Sequence, residues 1–396
     1  MKKRILILIL SLLAGFFSAS AVDCTITGPA ATTTICAGET VSLIVSASGG
    51  TGGYTYQWYS NTTNSNTGGT SLGSGDGAQT DTYSPNTSAA GTFYYYCVIT
   101  SVSADCGPNP SSVATVTVNP LPAAITGTAE VCVGSTTTLA DATGGGTWSS
   151  LDDLIATVGS GTGIVTGVSG GVVDIKYTIT ATGCFVTQSV TVDPASVGGD
   201  VTGDAAVCSG TNSTVLTLSG HTGSVEKWQY STDNWTTPID ISNTNLTYTA
   251  TNLTLTTKYR AVVKSGVCSS ATSTDAEVTV NPLPDPITGT AEVCVGSTTT
   301  LSNATGGGEW ASLNTGVATV GSATGVVTGV SGGTADIKYT ITATGCYVTQ
   351  TVTVYAASVG GDVTGDASVC SGTNSTVLTL SGHTGTVEKW QYSTNN

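Results

Sequence analysis

Cysteine is the residue type with the clearest chemistry in this chain. Eleven cysteines stand among 396 residues, and none falls in the C-x-x-C or clustered Cys/His spacing that a zinc site needs. In an exported chain such cysteines form disulfides. Cys132 and Cys184 return as Cys294 and Cys346, one pair per copy of a repeat, and Cys208 with Cys268 brackets the segment between. Paired that way, each would close a loop of roughly 50–60 residues, which loop-closure entropy values at about 4 kcal/mol. Cys370 repeats Cys208 but is followed by no counterpart of Cys268.

Other residue types offer less. The two histidines, His221 and His383, lie in the same SGHTG turn 162 residues apart with no nucleophile motif beside them. They are expected to be exposed turn residues, because a Ser-His-Asp triad needs a unique histidine near a strained serine. The carboxylate pair Asp152–Asp153 becomes Asn314–Thr315 in the second copy, so no glycosidase pair is preserved. Asp200 and Asp204 recur as Asp362 and Asp366 near a joint, but two acids fall short of calcium's six to eight oxygens. They are expected to be solvated turn aspartates, and no catalytic residue, metal or cofactor is expected.

The tryptophans weigh differently. Trp58, Trp148, Trp228, Trp310 and Trp390 hold repeat-equivalent strand positions and are expected in cores. Trp235, in the turn-like Asp-Asn-Trp-Thr segment, is the exception and could offer a platform for sugar stacking. Tyrosine-rich stretches at 54–59 and 93–96 give the first module the most aromatic surface.

Residues 1–21 read as a secretory signal: Lys2, Lys3 and Arg4, then an apolar run, then Ala19-Ser20-Ala21. The run is too short to span a bilayer, no other stretch approaches one, and Val22 and Asp23 separate the small residues from Cys24, which argues against a lipoprotein. Removing the signal leaves seven basic residues against 25 acidic ones, a net charge of −18. Such a surface repels phosphate backbones, so nucleic acid is excluded as a partner.

The elements that must position these residues are short strands. Runs at 41–45, 215–218, 259–263 and 336–341 are β-branched or aromatic and are bounded by Gly, Asn, Ser and Asp turns every 8–12 residues. No helical periodicity follows the signal. Residues 125–139 return letter for letter at 287–301, and 196–232 return at 358–394 with two changes, a period of 162 residues. The segments VTVNPLP at 116–122 and 278–284, with VTVDP at 190–194 and VTVYA at 352–356, mark joints. Two module types therefore alternate: type A at 22–119, 194–281 and 356–396, type B at 120–193 and 282–355. The repeating brick reads as a type B module followed by a type A. The last type A module stops short of its earlier copy, so the sequence is expected to be a fragment of a longer protein.

Type A carries Cys36, Trp58 and then Cys97 or Cys106, and in the second copy Cys208, Trp228 and Cys268. This order, with Tyr95 two residues before Cys97, resembles immunoglobulin-like sandwiches and their tyrosine corner. The four cysteines of the first module, Cys24, Cys36, Cys97 and Cys106, allow three connectivities, of which Cys36–Cys106 with Cys24–Cys97 is preferred. Type B carries IATVGSGTGIVTGVSGGVVDIKYTI from Ile155 and its near copy from Val317, read as two consecutive hairpins; it resembles bacterial Ig-like group 2 domains. The type A modules and their joints are similar to Ig-like repeats of large Bacteroidota surface and secreted proteins. The resemblance implies an all-β tandem array of Ig-like antiparallel β-sandwich domains and a non-enzymatic, adhesive or structural role. The expectation is a monomeric exported array at the cell surface or outside the cell, with surface glycans or proteins of other cells as partners. The alternative is a spacer or carbohydrate-binding appendage of a secreted hydrolase whose catalytic domain lies beyond residue 396.

Overall fold

The computed structural model describes residues 24–102 and 107–395. The expected signal at 1–21 and Cys106 lie outside the described residues. Everything described is strand, turn or loop, and among the described residues no helix is long and apolar enough to cross a membrane.

Four hydrophobic cores follow one another along the chain, each held between two sheets. The first gathers Leu43, Trp58, Tyr95, Cys97 and Val116; the second Leu139, Trp148, Ile175 and Val190; the third Leu216, Trp228, Tyr259 and Val278; the fourth Leu301, Trp310, Ile337 and Val352. Alternation explains the burial. In the strand Gly171–Ile179, Val173, Ile175 and Tyr177 are buried while their neighbours face outward, the period-two pattern of a sheet with one dry face. The fold is an all-β array of tandem Ig-like sandwiches.

One pairing recurs in all four. A strand near the start of each sandwich lies parallel to its last strand: Thr32–Cys36 on Ala114–Asn119, Glu130–Cys132 on Phe185–Asp193, Ala205–Cys208 on Ala276–Asn281, and Glu292–Cys294 on Tyr347–Tyr355. Each of these first strands ends on a cysteine, so a cysteine stands at the far end of every sandwich.

The type B segment departs from the sequence reading at one point. Ala156–Val158 and Ile164–Gly167 form the expected hairpin. Ile164–Gly167 and Gly171–Ile179 do not, because they belong to different sheets. Residues 168–170 carry the chain across the sandwich, with the Ser169 hydroxyl donating to the Leu154 carbonyl at 2.6 Å.

Compactness also groups the sandwiches differently from the repeat. One compact unit runs to Pro194 and the next starts at Ala195, so a type A sandwich goes with the type B that follows it, where the sequence suggested B then A. In residues 356–395 only Asp362–Thr364 and Thr379–Ser381 pair. Trp390, expected in a core, is therefore 55% exposed, since no second sheet faces it there.

Candidate functional site

The disulfides join sandwiches instead of closing them. Cys36 is bonded to Cys184 and Cys208 to Cys346, each with Cα atoms 5.6 Å apart. Cys24, Cys132 and Cys268 are also in disulfides. The expected pairings Cys132–Cys184, Cys294–Cys346, Cys208–Cys268, Cys36–Cys106 and Cys24–Cys97 are thereby overturned for every cysteine whose partner is now known to differ. Strand geometry gives the reason. Cys132 is in register with Asp193 at one end of the strand Phe185–Asp193, whereas Cys184 immediately precedes its other end. Nine residues at ~3.3 Å each put them about 30 Å apart, far beyond the reach of a disulfide. Cys294, in register with Tyr355, stands in the same relation to Cys346, and it is free and exposed. Cys208 lies beside Asn281, near the start of the strand Thr257–Lys264, while Cys268 follows that strand's other end.

In both compact units the bond has the same surroundings. It links the end of the parallel first strand of the type A sandwich to the tip of the long hairpin of the type B sandwich, formed by Gly171–Ile179 with Phe185–Asp193 and by Gly333–Ile341 with Tyr347–Tyr355. Cys184 and Cys346 are both fully buried. Beside the first bond, Ala37, Glu39, Leu121 and Phe185 line a shallow hollow. Lys176 covers the Phe185 ring at 5.2 Å, and Lys338 covers Tyr347 at 5.1 Å.

Cys97 is free and has no exposed surface. It sits opposite Trp58, where the third sandwich has Ala261 opposite Trp228. Its backbone N–H donates to the Ser111 hydroxyl at 3.0 Å, as that of Ala261 does to Ser273 at 2.9 Å. Cys97 thus serves as a small apolar core residue. Burial pushes its thiol up to about 12, so it is unreactive near neutrality. Cys370 is free and exposed.

Trp235 organises the outer face of the third sandwich. The strand Ser224–Ser231 turns Trp228 inward and Gln229 outward, and its neighbour Thr257–Lys264 places Arg260 opposite Gln229. The turn after Ser231 holds Asn234 and Trp235 in left-handed backbone, with φ of 54° and 69°, a strained choice for a bulky residue. Ser231 fixes it by accepting from the Trp235 backbone N–H at 2.8 Å. The Arg260 guanidinium lies 4.0 Å from the Trp235 ring centroid, a cation–π stack, and Arg260 Nε donates to Gln229 Oε1 at 2.9 Å. Trp235 Nε1 donates to Asp275 Oδ2 at 3.2 Å, and Lys258 lies 3.4 Å from the same carboxylate. The indole hydrogen bond, helped by a backbone N–H and then by the Lys258 charge, holds the Asp275 carboxyl below its ordinary value. Trp235 is half-buried against Arg260 rather than fully open. In the first sandwich the positions of Gln229 and Arg260 carry Tyr59 and the buried Tyr96, stacked at 5.2 Å and 9°.

Of the remaining residues, His221 is half-buried, not exposed, with its Nδ1 atom shielded, while His383 is exposed. Asp200 accepts from the Thr274 hydroxyl and Asp204 from the Glu277 backbone N–H; both acids fasten strand ends. Among the described residues no group of three His, Cys, Asp or Glu could hold a metal ion. Tyr95 packs in the core against Tyr83 at 5.6 Å. It is the type B tyrosines that tie back to the chain: Tyr177 donates to the Thr143 carbonyl at 2.5 Å and accepts from the Gly146 N–H at 3.0 Å.

Fold and cross-links together define a tandem Ig-like array in which a type A sandwich is bonded covalently to the type B that follows it. The family model for a domain of unknown function, DUF8696, matches residues 25–120, 197–282 and 359–396, and the chain belongs to that family. No curated protein matches. Among solved structures the chain is similar to the titin I-band fragment I67–I69 (11% identity, 65% of this chain and 98% of that one, TM-score 0.26). It is also similar to the insect immune protein hemolin (13%, 84% and 100%, 0.24) and to extracellular domains 3–5 of Drosophila OTK (14%, 64% and 95%, 0.25).

Proposed function

We propose that this chain is a non-catalytic, exported stalk or adhesin region that carries contact surfaces on cross-linked sandwiches, its modules bounded at 22–119, 120–193, 194–281, 282–355 and 356–396. The observation that carries the reading is the pair of bonds Cys36–Cys184 and Cys208–Cys346, which join one sandwich to the next at the same place in both units. Disulfides persist in oxidising compartments, and a bond between neighbouring sandwiches restrains a joint, which serves reach and multivalent display. Contact falls to the outer face around Trp235 with Arg260, where a pre-ordered aromatic ring suits surface glycans or proteins of other cells. The Trp235 platform equally suits the second reading, a carbohydrate-binding appendage of a secreted hydrolase.

Cells displaying the chain should adhere to glycan-coated or cell-derived surfaces more than cells displaying an unrelated sandwich array. Trp235→Ala should weaken that adhesion several-fold while leaving the melting of the first sandwich unchanged. Adhesion no greater than the control's would sink the proposal. Binding of one soluble polysaccharide without cell adhesion would favour the appendage.

A further inference from the structure

The disulfides decide which residues can carry force, and we infer that they give the chain a further function: routing end-to-end tension past its sandwiches, so that the length enclosed between the bonded cysteines is withheld while the chain is oxidised. The inference rests on the stalk reading, because only a chain held at both ends is pulled.

Covalent connectivity makes the case. Tension entering from the N-terminal side runs through the strand Thr32–Cys36, crosses to Cys184, and leaves along Phe185–Asp193. Residues 37–183 then form a closed loop whose ends are held 5.6 Å apart. Leu43, Trp58 and Val116 of the first core, with Leu139, Trp148 and Ile175 of the second, lie inside that loop. Beyond Pro194 the path repeats: Ala205–Cys208, across to Cys346, then Tyr347–Tyr355, with residues 209–345 enclosed. All four load-bearing segments are strands, already extended, with little length to give. A shielded sandwich can still unfold thermally, but unfolding it does not lengthen the molecule. Cys132 and Cys268 lie inside the two loops and are themselves disulfide-bonded, which adds closure and releases nothing.

The withheld length is large. Separations of 148 and 138 residues amount to about 500 and 470 Å of fully extended chain at ~3.4 Å per residue. Positions, not cysteine number, produce this. The sequence-expected pairs within single sandwiches would each have left the linkers and about a third of every sandwich on the load path.

Single-molecule force spectroscopy on the full chain, tethered at its two ends, tests this. The oxidised molecule should release contour only from residues outside the loops. Treating the same tether with a phosphine, which supplies two electrons per disulfide and becomes its oxide with oxygen from water while two thiols form, should add about 970 Å of contour at ~3.4 Å per residue. The double variant Cys36→Ser with Cys184→Ser should add length without reduction, at most about 500 Å on the same basis, because the bonds of Cys24 and Cys132 stay closed. Steps of either size in the oxidised wild-type chain, or no gain on reduction, would overturn the inference. If the double variant fails to fold it is long from the first pull, and the wild-type comparison still decides. A chain that fails the adhesion assay yet keeps its capped length would sink the adhesive reading alone.

Discussion

Asp141 and Asn303 occupy the same place in two copies of one turn, and one side-chain atom sets them apart. Asn303 donates from Nδ2 to the Asp285 carbonyl. Ala123 stands where Asp285 does, and the N–H groups of both donate to matching hydroxyls, Thr143 and Thr305. Asp141 has an acceptor where Asn303 has a donor, and its Oδ2 is buried and meets no donor among the described residues. Asp141→Asn should restore the missing bond and stabilise the second sandwich by about 1 kcal/mol; a lower midpoint in urea would contradict the argument. Cys97 leads to a different measurement. Its thiol is shielded while Cys294 and Cys370 are exposed, so a thiol reagent should label those two at once in the native protein and Cys97 only on unfolding. Burial also raises Cys97, Tyr95 and Tyr259 to about 12. The unfolded chain loses these protons from about pH 9 for the thiol and 10 for the phenols, the folded chain only near 12, so the unfolded state gains and stability falls across that window. The melting temperature should be insensitive to these groups below pH 9 and drop above it, with a shallower drop at pH 9–10 in Cys97→Ala; equal slopes would count against Cys97.

At the scale of elements, tyrosine hydroxyls lock the type B sandwich. Tyr177 packs its ring on Trp148, centroids 4.8 Å apart, and its hydroxyl spans the Thr143 carbonyl and the Gly146 N–H. Tyr339 repeats this with Trp310, Thr305 and Gly308. Tyr177→Phe keeps the ring and strands both backbone groups, so it should cost about 1–3 kcal/mol, with Tyr339→Phe matching it in the fourth sandwich. Denaturant midpoints unchanged in both would show that the hydroxyls only decorate the turn. Much of this level is legible in the sequence: the β-branched and aromatic run at 336–341 is a strand, and of the five repeat-equivalent tryptophans four lie in cores. Two features are not. Three residues at 168–170 suit a hairpin and a crossover equally well, because local turn chemistry does not state which sheet receives the next strand. Nor did composition show that Arg260 would cover Trp235, since that contact depends on the register between two strands.

At the scale of the whole chain, the disulfide pairing was the least legible feature, and the repeat itself misled. Duplication places Cys132 with Cys184 and Cys294 with Cys346 inside successive copies, which suggests closure within each. Only the parallel pairing of first and last strands reveals that such partners stand a full strand apart. Joining Cys36 to Cys184 instead makes two sandwiches one topological loop, and this has a thermodynamic consequence distinct from its mechanical one. Closing a loop of that length removes about 5 kcal/mol of chain entropy from the fully unfolded state. Most of that amount acts already when one sandwich melts alone. Asn119 lies in register with Cys36 and Asn281 with Cys208, so a melted type B sandwich beside a folded type A is a closed loop of about 65 residues, worth about 4 kcal/mol. Without the bond a folded neighbour holds only one end of the melted segment, and little of the effect is left for the second melting step. Calorimetry should therefore show the first transition of each unit raised by several degrees in the oxidised chain, and reduction should lower it while moving the second transition much less. A first transition at the same temperature in both states would contradict the argument.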